Sequence, residues 1–143
     1  MDKHDIYIKI ENEIQKNKDG LTELGRELFN HPEPGFKEVE SNKILTSFLR
    51  ENGISCRSDI CLTGIRAEIG NGEGYHIALV ADMDALIVDD GEKRYPCHSC
   101  GHSIQTAVMA YVLKMLNDMK LCGETGGRVT FNAAPAEEFI EFE

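Results

Sequence analysis

HIALVADMDAL, residues 76 to 86, decides the fold class. Ile77 to Ala81 is apolar at every position, so neither face of a strand built from it favours water. That pattern predicts a central strand in a sheet covered by helices. Asp82 and Asp84 follow directly at its carboxyl end. In such sheets this is the end where loops gather ligands.

Upstream, Gly64 to Ile69 is another β-type run, joined to the first by the turn-rich GNGEG at 70–74. The pair predicts a hairpin or neighbouring strands. Ile6, Ile10, Ile14, Leu21, Leu24 and Leu28 recur at helical spacing and predict one or two helices over residues 3 to 30. His31-Pro32 ends them, because a residue before proline disfavours helical backbone. A further helix is predicted over 38 to 51, with Ile44, Leu45, Phe48 and Leu49 inward and Asn52-Gly53 as its stop. Downstream, Ile104, Ala107, Val108, Tyr111, Val112, Met115 and Leu116 mark the clearest helix, over 103 to 120. Arg128 to Ala134 is a last strand. The order α-α-β-β-α-β predicts an α/β domain with no internal repeat.

The bulk properties narrow the function. The 143 residues carry a formal charge of −10, which disfavours nucleic acid, since phosphate contacts need clustered Lys and Arg. No apolar run approaches a membrane span, and the charged N-terminus has no apolar signal core, so a cytoplasmic protein is expected. Five cysteines (56, 61, 97, 100 and 122) are an odd number without an export signal, and reduced thiols are expected.

Three polar groups fall at the ligand-gathering end: Asp82-Met83-Asp84, the CHSCGH of residues 97–102, and Glu137-Glu138 after the last strand. Thiolate and neutral imidazole are the usual ligands of zinc and similar divalent metals. Cys100 and His102 sit where the positive end of a helix favours thiolate, and Gly101 lets the backbone aim both at one point. Adjacent glutamates on a loop can diverge, one binding metal while the other accepts a proton. Asp82 and Asp84 could bind metal or orient a ligand imidazole. Other readings remain open: small residues allowing close packing, or a Cys97-x-x-Cys100 dithiol oxidoreductase. A structural zinc site lacks a second ligand pair.

The stretches HPEPGFKEVES (31–41), ADMDAL (81–86), HSCGH (98–102) and APAEEF (134–139) carry a resemblance. In order and spacing they resemble the metal-dependent amidohydrolase/peptidase family of aminoacylases, hippurate hydrolase, auxin-conjugate amidohydrolases and aminobenzoyl-glutamate hydrolase. The match runs from about residue 24 to the chain's end. The resemblance implies a three-layer, zinc-peptidase-like catalytic domain, of which residues 1–143 are the N-terminal portion. It implies Cys100, His102 and Glu138 as metal ligands, Glu137 as general base and Asp84 as the aspartate that orients the site. Asp82 falls where other branches place a metal-binding histidine. The implied cofactor is a divalent ion, zinc first, with manganese, cobalt or nickel as alternatives. The implied reaction is hydrolysis of the amide bond of an N-acyl amino acid or small peptide by a metal-activated water.

Val80 stands where this branch usually has arginine, Ile87 replaces a proline, Ser103 an aspartate and Gln105 a histidine. These departures imply altered substrate contacts around an intact set of metal and base positions. Family members are more than twice as long and add two further metal-binding histidines and a lid domain that often mediates dimerisation. The expectation is therefore an N-terminal fragment, with little or no amidase activity alone. A non-catalytic remnant with a weak metal site is the alternative.

Overall fold

The computed structural model describes residues 3–138. Helix α1, Lys3–Phe29, is one continuous helix, closed at its end by His31 N–H donating to the Leu28 carbonyl. Only its carboxyl half enters the core, through Leu24 and Leu28; Ile14 stays 46% exposed. Helix α2, Val39–Glu51, buries Leu45 and Leu49 completely, with Ile44 and Phe48 packed beside them. Its first turn is capped from a distance: the Glu33 carboxylate accepts the N–H groups of Glu40 and Ser41, both at 2.9 Å. A carboxylate there satisfies orphan donors and meets the positive end of the helix dipole. Gly53, at φ 70, supplies the left-handed stop.

Six strands and two helices follow or interleave: β1 Cys56–Ile60, β2 Gly64–Ile69, β3 His76–Asp82, β4 Leu86–Asp89, β5 Arg94–Cys97, α3 His102–Asp118, α4 Leu121–Thr125 and β6 Arg128–Ala134. The main sheet has the order β1-β2-β6-β3. Strand β6 runs antiparallel to β2 and parallel to β3. The expected hairpin of β2 with β3 is thus corrected: Val129 of β6 faces Ile69 on one side and Ile77 on the other. The GNGEG connection has to span an inserted strand, which turn composition alone does not reveal.

The central position expected for β3 is corrected too. Among the described residues it is an edge strand, with Ile77 and Val80 about half exposed. The run's apolarity does not bring cover to both faces, since Ala78 and Val80 lie exposed on one of them, and it carries no signal about which edge finds a partner. Ile65, Ala67, Ile69, Val129, Phe131, Ala133, Leu79 and Ala81 line the face on which α2 and α3 pack, with α1 laid against α3. Arg66, Glu68, His76 and Ala78 lie on the opposite, open face. Helix α3 turns Ser103, Thr106, Ala107, Ala110, Tyr111 and Leu113 inward, while Ile104 is 63% exposed. The buried stripe is therefore rotated from the expected one, because small residues let α3 approach the sheet closely.

The β4–β5 hairpin escaped the sequence reading, although Asp90-Gly91 was an available signal. Asp90 Oδ1 accepts the N–H groups of Glu92 and Lys93 at 3.0 Å, and Gly91 takes φ 88. All five thiols are free. No helix among the described residues is long and apolar enough to cross a membrane.

Candidate metal centre

Strands β3 and β6 run in parallel, so their carboxyl ends deliver Asp82-Met83-Asp84 and Pro135 to Glu138 side by side. Met83 N–H donates to the Ala134 carbonyl at 3.0 Å and locks the two loops together. The third contributor is the start of α3. Gly101, its N-cap residue, takes φ 91, a conformation that strains any side-chain-bearing residue. Through that turn Cys100 and His102 reach the same point.

Donor atoms of Cys100, His102 and Glu138 lie within 4.8 Å of one another. His102 organises the group. Its Nδ1 lies 3.0 Å from the Asp84 carbonyl oxygen and 3.2 Å from Asp84 Oδ1. The carbonyl contact is the better aligned, and Asp84 Oδ1 makes no hydrogen bond of good geometry. A proton on Nδ1 satisfies the carbonyl and leaves the Nε2 lone pair facing Glu137 Oε2 at 3.7 Å and Glu138 Oε1 at 3.9 Å. Orientation of a ligand imidazole by a neighbouring oxygen is the usual arrangement at metal sites. One thiol, one imidazole and one carboxylate in this proximity are a donor set that fits a borderline-soft divalent ion.

Asp84 is fully buried, and its Oδ2 accepts the N–H of Glu138 at 2.9 Å. Glu137, by contrast, has a side chain 55% exposed and open to solvent. Asp82 stays outside the donor group; its main chain is held by α3, the N–H by Gln105 Oε1 at 3.3 Å and the carbonyl by the Thr106 hydroxyl at 2.5 Å. Those two supports were missed by the sequence reading, which treated Gln105 only as a substituted position and did not consider Thr106. Cys97 also stays outside, in β5 opposite Leu86.

His98 is 5% exposed, 6.4 Å ring to ring from Phe29, and neither of its nitrogens makes an aligned hydrogen bond. Burial, then the nearby His102, lowers its pKa; the carbonyls of Leu28 and His31 and the Asp84 charge oppose without prevailing. A lowered pKa means that the unfolded chain takes up the proton first as pH falls. Stability is then full above the unfolded value of about 6.5 and declines below it. The urea midpoint of the chelated protein is expected to fall as pH drops through that window, and His98→Phe is expected to flatten the slope.

Strand ends of a mixed α/β sheet thus gather donors suited to a divalent metal. The chain is a relative of the metal-dependent amidohydrolases and peptidases. An IAA-amino acid hydrolase of Arabidopsis thaliana is 31% identical over 127 residues, 84% of this chain and 29% of that protein. An N-acetylcysteine deacetylase of Bacillus subtilis is 36% identical over 128 residues, 82% of this chain and 33% of its own length. Among solved structures, a dinuclear metal-binding peptidase of the M20 family from Bacillus subtilis superposes with a TM-score of 0.76 at 33% identity. That superposition covers 87% of this chain and 37% of the peptidase. No family model matches the chain. The chain spans 28% to 36% of the length of curated relatives it matches.

Proposed function

We propose that residues 1–143 form the N-terminal portion of a metal-dependent amidohydrolase catalytic domain, which cleaves the amide bond of N-acyl amino acids or small peptides. What carries the reading is the convergence of Cys100, His102 and Glu138 within 4.8 Å at the end of parallel strands. It is supported by relatives whose own names are those of amino-acid-conjugate hydrolases and deacetylases. Cys100, His102 and Glu138 would hold a divalent ion, zinc in the first instance, and that ion would supply Lewis acidity to the scissile carbonyl and to water.

The remaining work falls to the chain's side chains. Glu137, solvent-facing and 3.7 Å from His102 Nε2, takes a proton from the attacking water on a carboxylate oxygen and returns it to the leaving amine. Asp84 keeps the proton on His102 Nδ1 and holds the Glu138 backbone. The enzyme would work in the cytoplasm on small molecules, with dimerisation contributed by a domain of the longer relatives.

The test is binding. Equilibrium dialysis of the 143-residue chain against zinc or cobalt is expected to give one loosely held divalent ion, whose binding Cys100→Ser abolishes. Absence of binding, or binding indifferent to Cys100→Ser, would sink the reading.

A further inference from the structure

Two carboxyl side chains among the described residues are fully buried, Asp84 and Glu38. Asp84 lies in the donor cluster. Glu38 lies outside it, just before α2, and has no role in the mechanism above. A carboxyl group withdrawn from water is costly unless its oxygens are hydrogen-bonded. Both oxygens of Glu38 are engaged. Oε2 accepts the Thr63 hydroxyl, and the Thr63 carbonyl in turn accepts Asn42 Nδ2 at 2.7 Å. Oε1 accepts the main-chain N–H of Ala136 at 2.9 Å.

Ala136 directly precedes Glu137 and takes φ 54, the left-handed region that a residue with a Cβ enters reluctantly. On the other side of Glu137, the N–H of Glu138 is held by Asp84 Oδ2. The two buried carboxyls thus grip the amides that flank Glu137. The segment carrying Glu38 also reaches the other strand-end loop, where Ala85 N–H donates to the Glu33 carbonyl at 2.8 Å. Gly35 presses on the same turn: a Cβ there would stand 2.8 Å from Ala136 Cβ and 3.0 Å from its Cα.

We infer that Glu38 is a positioning residue, which fixes Ala136 in the left-handed turn that brings the Glu137 and Glu138 carboxylates to His102 and Cys100. The inference rests on the proposed reading of that cluster as a divalent-metal site. Its content is that metal affinity depends on a side chain that contributes no donor atom. A purely structural Glu38 would affect stability and leave affinity alone.

The experiment titrates cobalt into the 143-residue chain, its Glu38→Ala and its Glu38→Gln, all well below their unfolding midpoints. The thiolate-to-cobalt absorption band and the hydrogen exchange of the Ala136 amide are both followed. Glu38→Ala is expected to weaken cobalt binding about 10-fold or more, as supporting residues at metal sites do, and to expose the Ala136 amide to exchange. Glu38→Gln keeps a carbonyl oxygen for Ala136 and offers its NH2 to the Thr63 hydroxyl, so it is expected to restore most of the affinity. A Glu38→Ala protein with lowered stability but unchanged cobalt affinity overturns the inference. If Glu38→Ala does not fold, Gly35→Ala and Thr63→Val disturb the same turn from two directions, and wild-type cobalt affinity in both overturns it. Should the wild type bind no cobalt, the site reading fails on its own; the Ala136 amide then decides, and protection unchanged in Glu38→Ala rejects the positioning role.

Discussion

His102→Ala is expected to lower divalent-metal affinity by at least about 100-fold, more than loss of a supporting residue, for which 10–100-fold is usual. His102 contributes the nitrogen among the three clustered donors, and its geometry leaves Nε2 free while Nδ1 is spent on Asp84. Removing it leaves a thiol and one clustered carboxylate, too few donors to satisfy a tetrahedral preference. The same change removes the group that Glu137 Oε2 and Glu138 Oε1 face at 3.7 and 3.9 Å. Two carboxylates would then confront one another without an imidazole between them. Asp84→Asn is expected to fall in the lesser range, because the main-chain carbonyl that His102 Nδ1 contacts is unchanged. Competition against a chromophoric zinc chelator measures both. A His102→Ala affinity within tenfold of wild type would mean that the ion is held elsewhere.

The difference between His102 and Glu38 marks what could be read from residues alone. Cys and His rarely gather without a ligand, so Cys100 and His102 stand out by residue type; Glu137 and Glu138, alone an ordinary surface pair in an acidic chain, gain weight only from their place at a strand end and from the family resemblance. The structure brings them together, with Asp84 beneath. Glu38 and Thr106 act through hydrogen bonds across 98 and 24 positions of chain, and nothing in their own neighbourhoods announces those partners. The helices were legible because their period is local, and α2 and β6 match their expected bounds within a residue. Sheet order was not legible. The insertion of β6 between β2 and β3 depends on the crossover through α3, a long-range choice. The buried stripe of α3 was misjudged because Ser103, Thr106 and Ala110 face the sheet by being small, a property that hydrophobic spacing does not count.

Phe131→Ala is expected to cost about 3–5 kcal/mol, the range for emptying a buried aromatic site. Phe131 is 0% exposed in β6, opposite Ala67 on one side and Leu79 on the other. Its ring lies between Ala67 and Leu79 along the sheet and under the helix layer, in a fully buried site whose loss of contact the surroundings recover only in part. A domain of this size has roughly 5–15 kcal/mol in total, so the substitution consumes a large share. Urea unfolding is expected to show a lower midpoint with an unchanged slope. Val80→Ala, by contrast, removes a side chain 53% exposed on the edge strand and is expected to shift stability by less than about 1 kcal/mol. If the proposed site holds zinc, zinc is expected to raise the midpoints of the wild type and of both variants, because stabilisation by a ligand depends on its affinity for the folded state. A Phe131→Ala protein that folds but gains nothing from zinc would show that packing under β6 sets the position of Glu137 and Glu138, a coupling between core and site that the hydrogen bonds alone do not require.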